Sequence, residues 1–189
     1  MTWGVQTEAC ECADWFNAKY LIFWGSNISE TRIPDAHFAY EARYNGAKLV
    51  CISPDFNPSA IHADLYLDIN PGTDAALALG IARELIEQGL VDVPYVKEQT
   101  DLTFLVLTDS RRFLREADME QGGKEDVFYL WDAKTGQAVK APGSSGAPDQ
   151  TLRLEETDPV LEGSFTVRLA SGRQAQVTTV FSLLRRSLQ

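Results

Sequence analysis

Three short segments of this chain join residue types that suit the recognition of a phosphorylated ligand. Gly25, Ser26 and Asn27 follow the apolar run "KYLIFW"; Ser53, Pro54, Asp55, Phe56 and Asn57 follow "KLVCI"; Gly72, Thr73 and Asp74 follow "LYLDI". A glycine lets the backbone come close to a ligand, short hydroxyl and amide side chains hydrogen-bond to it, and amides at the start of a following helix favour an anion. A pyrophosphate suits the first segment. The second lies where dinucleotide-binding folds place a ribose-binding acid, with Ser53 and Asp55 both candidates. The carboxylate of Asp74 can accept from a base that carries paired N–H donors, as guanine does. Each segment alone also reads as an ordinary turn: Gly-Ser-Asn is common after a strand, Asp74 beside Thr73 can cap a helix, and Asp55 can open the next turn. Their recurrence at equivalent strand ends favours a nucleotide, although no G-x-G-x-x-G is present and the nicotinamide fingerprint is absent.

The elements that must position these segments follow from periodicity. Residues 7–17 place Ala9, Cys10, Ala13 and Phe16 on one side of a helix, with Thr7 as N-cap. Residues 19–24 are almost continuously apolar, the pattern of a parallel strand covered on both faces. After a loop, Pro34 suits a first helical turn and the helix runs to Gly46. "KLVCIS" is a second strand, "PDFNPSAIHAD" a turn with one helical turn, and "LYLDI" a third strand at an edge. The clearest helix follows, with Thr73 as N-cap, Ala76, Leu77, Gly80, Ile81 and Leu85 inward, and Gly89 as the stop. "DVPYVKEQT" is a short helix and "TFLVL" a further strand. Past residue 120 come a strand, turn and return strand in "FYLWDAKTGQAV", a loop in "KAPGSSGAPDQ", a hairpin about Ser171 and Gly172, and a terminal helix. The expected class is α/β: a Rossmann-like open parallel sheet flanked by helices over residues 1–120, with a small β-rich C-terminal extension over 121–189.

Composition narrows the function. With 17 basic and 27 acidic residues, the net charge of -10 argues against a nucleic-acid partner, which needs clustered Lys and Arg. No apolar stretch approaches the roughly 20 residues of a membrane helix. Cys10, Cys12 and Cys51 read as core thiols, because no second cluster completes a metal's ligand set. His37 and His62 have no nucleophile in a recognisable elbow and read as structural. The run "READMEQGGKED" reads as a solvated loop. The arginines of "DSRRFLRE" reach either a phosphate, a partner's acid or solvent.

The stretches "FWGSNISETRIPDAHF", "VCISPDFNPSAIHADLYLDINPGTDAALALG" and "EQTDLTFLVLTDSRRFLREADM" resemble catalytic subunits of the dimethyl-sulfoxide reductase family of molybdenum enzymes. The likeness is greatest to the branch of nitrate, selenate and chlorate reductases, ethylbenzene dehydrogenase and dimethylsulfide dehydrogenase, and it extends through "FYLWD" and "DPVLEGSFTVRLASGR". It implies that the three loops hold the guanine dinucleotide arm of one of two molybdopterin guanine dinucleotides. Trp24, Gly25, Ser26, Asn27 and Glu30 would meet the diphosphate, Ser53, Pro54, Asp55, Phe56 and Asn57 the ribose side, and Gly72, Thr73 and Asp74 the guanine. Many members carry Asp-Pro-Arg after the second strand, where this chain has Ser53, Pro54 and Asp55. The likeness further implies a molybdenum-dependent oxidoreductase of which this chain is a cofactor-binding fragment. No catalytic residue and no metal ligand of its own is expected in it. The molybdenum ligand, an iron-sulfur cluster and the domain that completes the pterin site would lie elsewhere in the subunit, and an electron-transfer iron-sulfur subunit would be a partner. The parent would work at the periplasmic or cytoplasmic face of the inner membrane, the periplasmic one being favoured. The alternative is a non-catalytic α/β protein-interaction module whose loops are only turns.

Overall fold

The computed structural model describes residues 11–142 and 152–189. The helix predicted over 7–17 is described only from residue 11, and Thr7, Ala9, Cys10 and most of the "KAPGSSGAPDQ" loop lie outside the described residues. The fold is mixed α/β, and the chain divides into two compact units, Met1–Ala78 and Leu79–Gln189.

The first unit is a three-stranded parallel sheet in the order β1-β2-β3 with helices. A 3-10 helix at Cys12–Asn17 leads into β1 (Tyr20–Trp24). With three residues per turn, Cys12 and Trp15 share a face, and it is Trp15 that packs on the core, while Ala13 and Phe16 are exposed. The segment predicted as a loop after β1 contains one helical turn, α1 (Ile28–Thr31), followed by α2 (Ile33–Tyr44). Gly46, at φ +101°, ends the latter as expected. Ala36 and Ala39 of α2 pack with Phe23, Leu49 and Cys51 in one core, small side chains letting the helix lie close to the strands.

β2 (Lys48–Ser53) is the central strand, and a 3-10 turn at Ala60–His62 precedes β3 (Leu65–Asp68) at the edge. The expectation that β1 is covered on both faces does not hold. Phe23 is buried and Leu21 packs beside it, but Tyr20 and Ile22, on the opposite face, are 67% and 56% exposed. A continuous apolar run hides this alternation, because the face of each residue is set by register and not by its type. α3 (Asp74–Glu87) departs in the same way. It ends before Gly89 at φ +67° as predicted, yet it has no buried residue, and Ile81 and Leu85 of its expected inward stripe are each 42% exposed.

The second unit begins within α3 and continues through α4 (Val93–Gln99), which the Asp92 carboxylate caps by accepting from the Tyr95 amide. β4 (Leu105–Leu107) follows, then α5 (Glu116–Met119) and the hairpin β5 (Tyr129–Asp132) and β6 (Gln137–Lys140). β7 (Ser164–Arg168) and β8 (Gln174–Thr179) pair about Gly172, and α6 (Val180–Ser187) closes the chain. β4, β8 and β7 form an antiparallel sheet. The carboxylate run predicted as solvated is partly ordered: Glu116 and Glu120 both pair with Lys140 across to β6. Lys140 pulls the Glu116 carboxyl below its ordinary range, helped by the Lys124 amide. Arg112 and Arg115 are spent on Asp118 and Glu125.

Candidate functional site

Because β1, β2 and β3 run parallel, their carboxyl ends leave the sheet at one edge. Trp24 stands opposite Ile52, and Ser53 opposite Asp68. Neighbouring strands lie about 4.8 Å apart, so three successive departures span roughly 10 Å. Gly25 turns the chain off β1 at φ +60°, in the left-handed region that glycine enters without strain, and its N–H donates to the Ile52 carbonyl at 2.8 Å. A Cβ built there would meet nothing within 4 Å, so the approach to this backbone is open.

Side-chain hydrogen bonds tie the three segments together. Asn27 donates from Nδ2 to Glu30 at 2.6 Å and accepts at Oδ1 from the Ser59 hydroxyl at 3.0 Å. The Ser59 amide donates to Asn57 Oδ1 at 3.0 Å, Asn57 Nδ2 donates to Ser53 Oγ at 3.3 Å, and Ser53 Oγ donates to Asp55 at 2.7 Å. Tyr66 donates its hydroxyl to the Ser53 carbonyl at 3.0 Å. The third segment joins the first through the Trp24 indole N–H, which donates to Asp74 Oδ1 at 2.6 Å. Thr73, expected to cap α3 with its hydroxyl, donates it to the Asn70 carbonyl.

The structure thus brings Trp24, Gly25, Asn27, Glu30, Ser53, Asp55, Asn57 and Asp74 to one edge of the sheet, either by direct contact or through Ser59. Ser53 and Asn57 are buried beneath it; Asp55, Phe56, Gly72, Thr73 and Asp74 are exposed, with Pro54 beside Asp55 and Ser26 half-buried at the turn. Phe56 meets Tyr66 edge-on at 5.1 Å. Burial pushes the Cys51 thiol up, with Asp55 adding to the shift, and burial likewise raises Tyr66, aided by Asp68 and Asp55. Neither group is an activated nucleophile.

The thirteen candidate residues include three carboxylates and no lysine or arginine. A diphosphate here would meet amides, hydroxyls and the Asn27 carboxamide rather than cations. The helix-start contribution is smaller than the sequence suggested, since α1 is a single turn and its Ser29 amide is already given to Ser59. Ser59 and Tyr66 escaped the sequence reading. The Asn57-Pro58-Ser59 spacing was the available signal, an asparagine that can accept from the amide two residues on. Neither histidine enters the site: His37 Nδ1 lies 2.8 Å from the Pro34 carbonyl and the His62 ring lies 4.4 Å from Tyr40. Among the described residues no cluster of three or more His, Cys, Asp or Glu is placed to hold a metal ion, and no helix is long and apolar enough to cross a membrane.

Residues 4–167 match the family described as molybdopterin oxidoreductase. The chain is similar to the perchlorate reductase subunit alpha of Dechloromonas aromatica (strain RCB), 47% identical over 203 residues that cover 97% of this chain and 22% of that protein. It is 50% identical over 172 residues to the chlorate reductase subunit alpha of Ideonella dechloratans, covering 91% of this chain and 18% of that one. The dimethylsulfide dehydrogenase subunit alpha of Rhodovulum sulfidophilum is 46% identical over 185 residues, covering 98% and 20%. The chain therefore spans about a fifth of the length of these curated relatives.

Proposed function

The chain belongs to the molybdopterin oxidoreductase family, and from that premise we propose that its first unit holds the guanine dinucleotide arm of a molybdopterin guanine dinucleotide. One observation carries this reading. Three polar segments crown three adjacent parallel strands and are joined by the Asn27–Ser59 and Trp24–Asp74 hydrogen bonds. The strand order β1-β2-β3 with α2 as crossover is Rossmann-like, one half of a doubly wound sheet, and in such sheets ligands bind outside the carboxyl ends. The nucleotide-binding portion expected over residues 1–120 has this edge as its site.

The residues fit the group in distinct ways. Gly25 and the turn through Asn27 leave open backbone for the diphosphate. Asp55 would accept from ribose hydroxyls, with Ser53, which donates to it, behind it as an orienting group. Asp74 presents a carboxylate to the paired N–H donors of guanine while its Oδ1 is steadied by Trp24. When bound, the molybdenum cofactor supplies oxygen-atom or electron transfer, and this chain contributes affinity and orientation. Under this reading, the β-rich segment past residue 120 belongs to the same catalytic subunit. The remaining domains of that subunit, a second dinucleotide and an electron-transfer iron-sulfur subunit complete the parent enzyme, a reductase or dehydrogenase of the nitrate, chlorate and selenate type at the inner membrane.

Titration of the 189-residue chain with GDP, followed by NMR, tests the reading. The amides of Gly25, Asp55 and Asp74 are expected to shift at millimolar ligand; unmoved resonances at all three would overturn it.

A further inference from the structure

We propose that Ser59 is the positioning residue that locks the phosphate-facing turn and the ribose-facing turn into one geometry. The inference rests on the nucleotide reading above and extends it to a residue that need not touch the ligand.

Ser59 is fully buried, and its polar atoms are divided between the two turns. Its hydroxyl donates to Asn27 Oδ1, 32 positions away in sequence, and accepts from the Ser29 amide at 3.0 Å, with the Ser29 hydroxyl also at 3.0 Å. Its own amide donates to Asn57 Oδ1, and Asn57 in turn holds Ser53, which orients Asp55. The linkage is braced from α2, where the Tyr40 hydroxyl meets the Ser29 hydroxyl. A serine hydroxyl has one proton and two lone pairs, and here the proton and one lone pair join segments that the backbone does not connect locally. Removing it leaves Asn27 Oδ1 without its donor and the Ser29 amide without its acceptor beneath the turn. Asn27 and Asp55 would then lose their common reference.

Base selection is separate. Asp74 is held by Trp24 and no hydrogen bond links it to Ser59, so loss of the hydroxyl should weaken the phosphate and ribose ends while sparing the choice of base.

The test compares wild-type chain with Ser59→Ala, Asn27→Ala and the double variant, titrated with GDP and CDP by calorimetry. Ser59→Ala is expected to weaken both nucleotides by about tenfold, the effect of one lost hydrogen bond, with the ratio of GDP to CDP affinity unchanged. Asn27→Ala is expected to absorb most of that loss, so that the double variant binds much as Asn27→Ala does. A folded Ser59→Ala chain that binds GDP within twofold of wild type, or a double variant whose losses simply add, would overturn the linkage and leave the nucleotide reading standing. A wild-type chain that ignores GDP would overturn both. Asn27→Ala, at a half-exposed position, supplies a ligand-independent check should Ser59→Ala not fold. It should move the amide resonances of Asp55 and Asn57 in the other turn, and unmoved resonances would refute the linkage.

Discussion

The two units of this chain use buried polar groups to opposite ends. In the first, Ser53, Asn57 and Ser59 lie at the carboxyl edge of a parallel sheet and hold the half-buried Asn27 and the exposed Asp55 in place. In the second, the buried carboxylate of Asp132 is consumed entirely by its own surroundings. It accepts from the amides of Lys134, Thr135 and Asp158 and from the Thr135 hydroxyl, closing the turn of the β5–β6 hairpin. Thr179 likewise spends its hydroxyl on the Leu161 carbonyl, Ser182 and the start of α6. The difference follows from strand direction. Parallel strands deliver every carboxyl end to one side, where polar turns accumulate and face outward together. Antiparallel hairpins alternate their ends, and each turn is satisfied by the groups packed around it.

The contrast can be broken by exchanging the expected phenotypes. The largest effect is expected at Asp132→Ala, which strands four donors and should cost about 3 kcal/mol or more in denaturant unfolding while leaving GDP binding intact. Burial alone would raise this carboxyl, but the Asp158 amide, the Thr135 hydroxyl and the turn amides outweigh it and hold the pKa below the ordinary 3.8. A depressed folded pKa means that the stabilisation is present above the unfolded value and lost as pH falls through the folded one. Wild type should therefore show a steeper acid decline in Tm than Asp132→Ala, which keeps only the share of the other depressed carboxylates such as Glu116; a variant with the same decline would remove Asp132 from the explanation.

Asp74→Ala should do the reverse. Under the proposed guanine role, losing this carboxylate is expected to weaken GDP about a hundredfold, measured by calorimetry, and to cost no more than about 1 kcal/mol in stability. Equal binding by the variant would detach the third segment from the site. Smallest is the matched pair Gly25→Ala and Gly172→Ala. Both glycines have positive φ, +60° and +83°, and neither has an atom within 4 Å of a built Cβ, so each substitution should cost about 1 kcal/mol from backbone strain alone. Only Gly25→Ala should also weaken GDP, because only that backbone belongs to the proposed site. A parallel loss at Gly172 would erase the distinction.

Much of the fold was legible in local pattern. β2 occupies the predicted "KLVCIS", β1 begins one residue inside its expected bounds, and the stops at Gly46, Gly89 and Gly172 all coincide with positive φ. These features depend on neighbours in sequence, as do hairpin turns. The exposure of Tyr20, Ile22, Ile81 and Leu85 was not legible, because an apolar side chain records what it can bury and not what lies against it. Nor was the ordering of Glu116 by Lys140, 24 positions away, since a run of carboxylates looks solvated until a distant cation is folded onto it.

The candidate site divides along the same line. The residue types at the ends of three strands, and the strand–helix–strand order of the elements, were enough to expect the turns at one edge, because a right-handed strand–helix–strand unit has few ways to close. Only the tertiary structure revealed that Ser59 joins Asn27 to Asn57 and that Trp24 holds Asp74 across 50 positions. Hydrogen-bond partners so far apart in sequence are chosen by which side chains the packed sheet brings within 3 Å, and no local spacing encodes that choice.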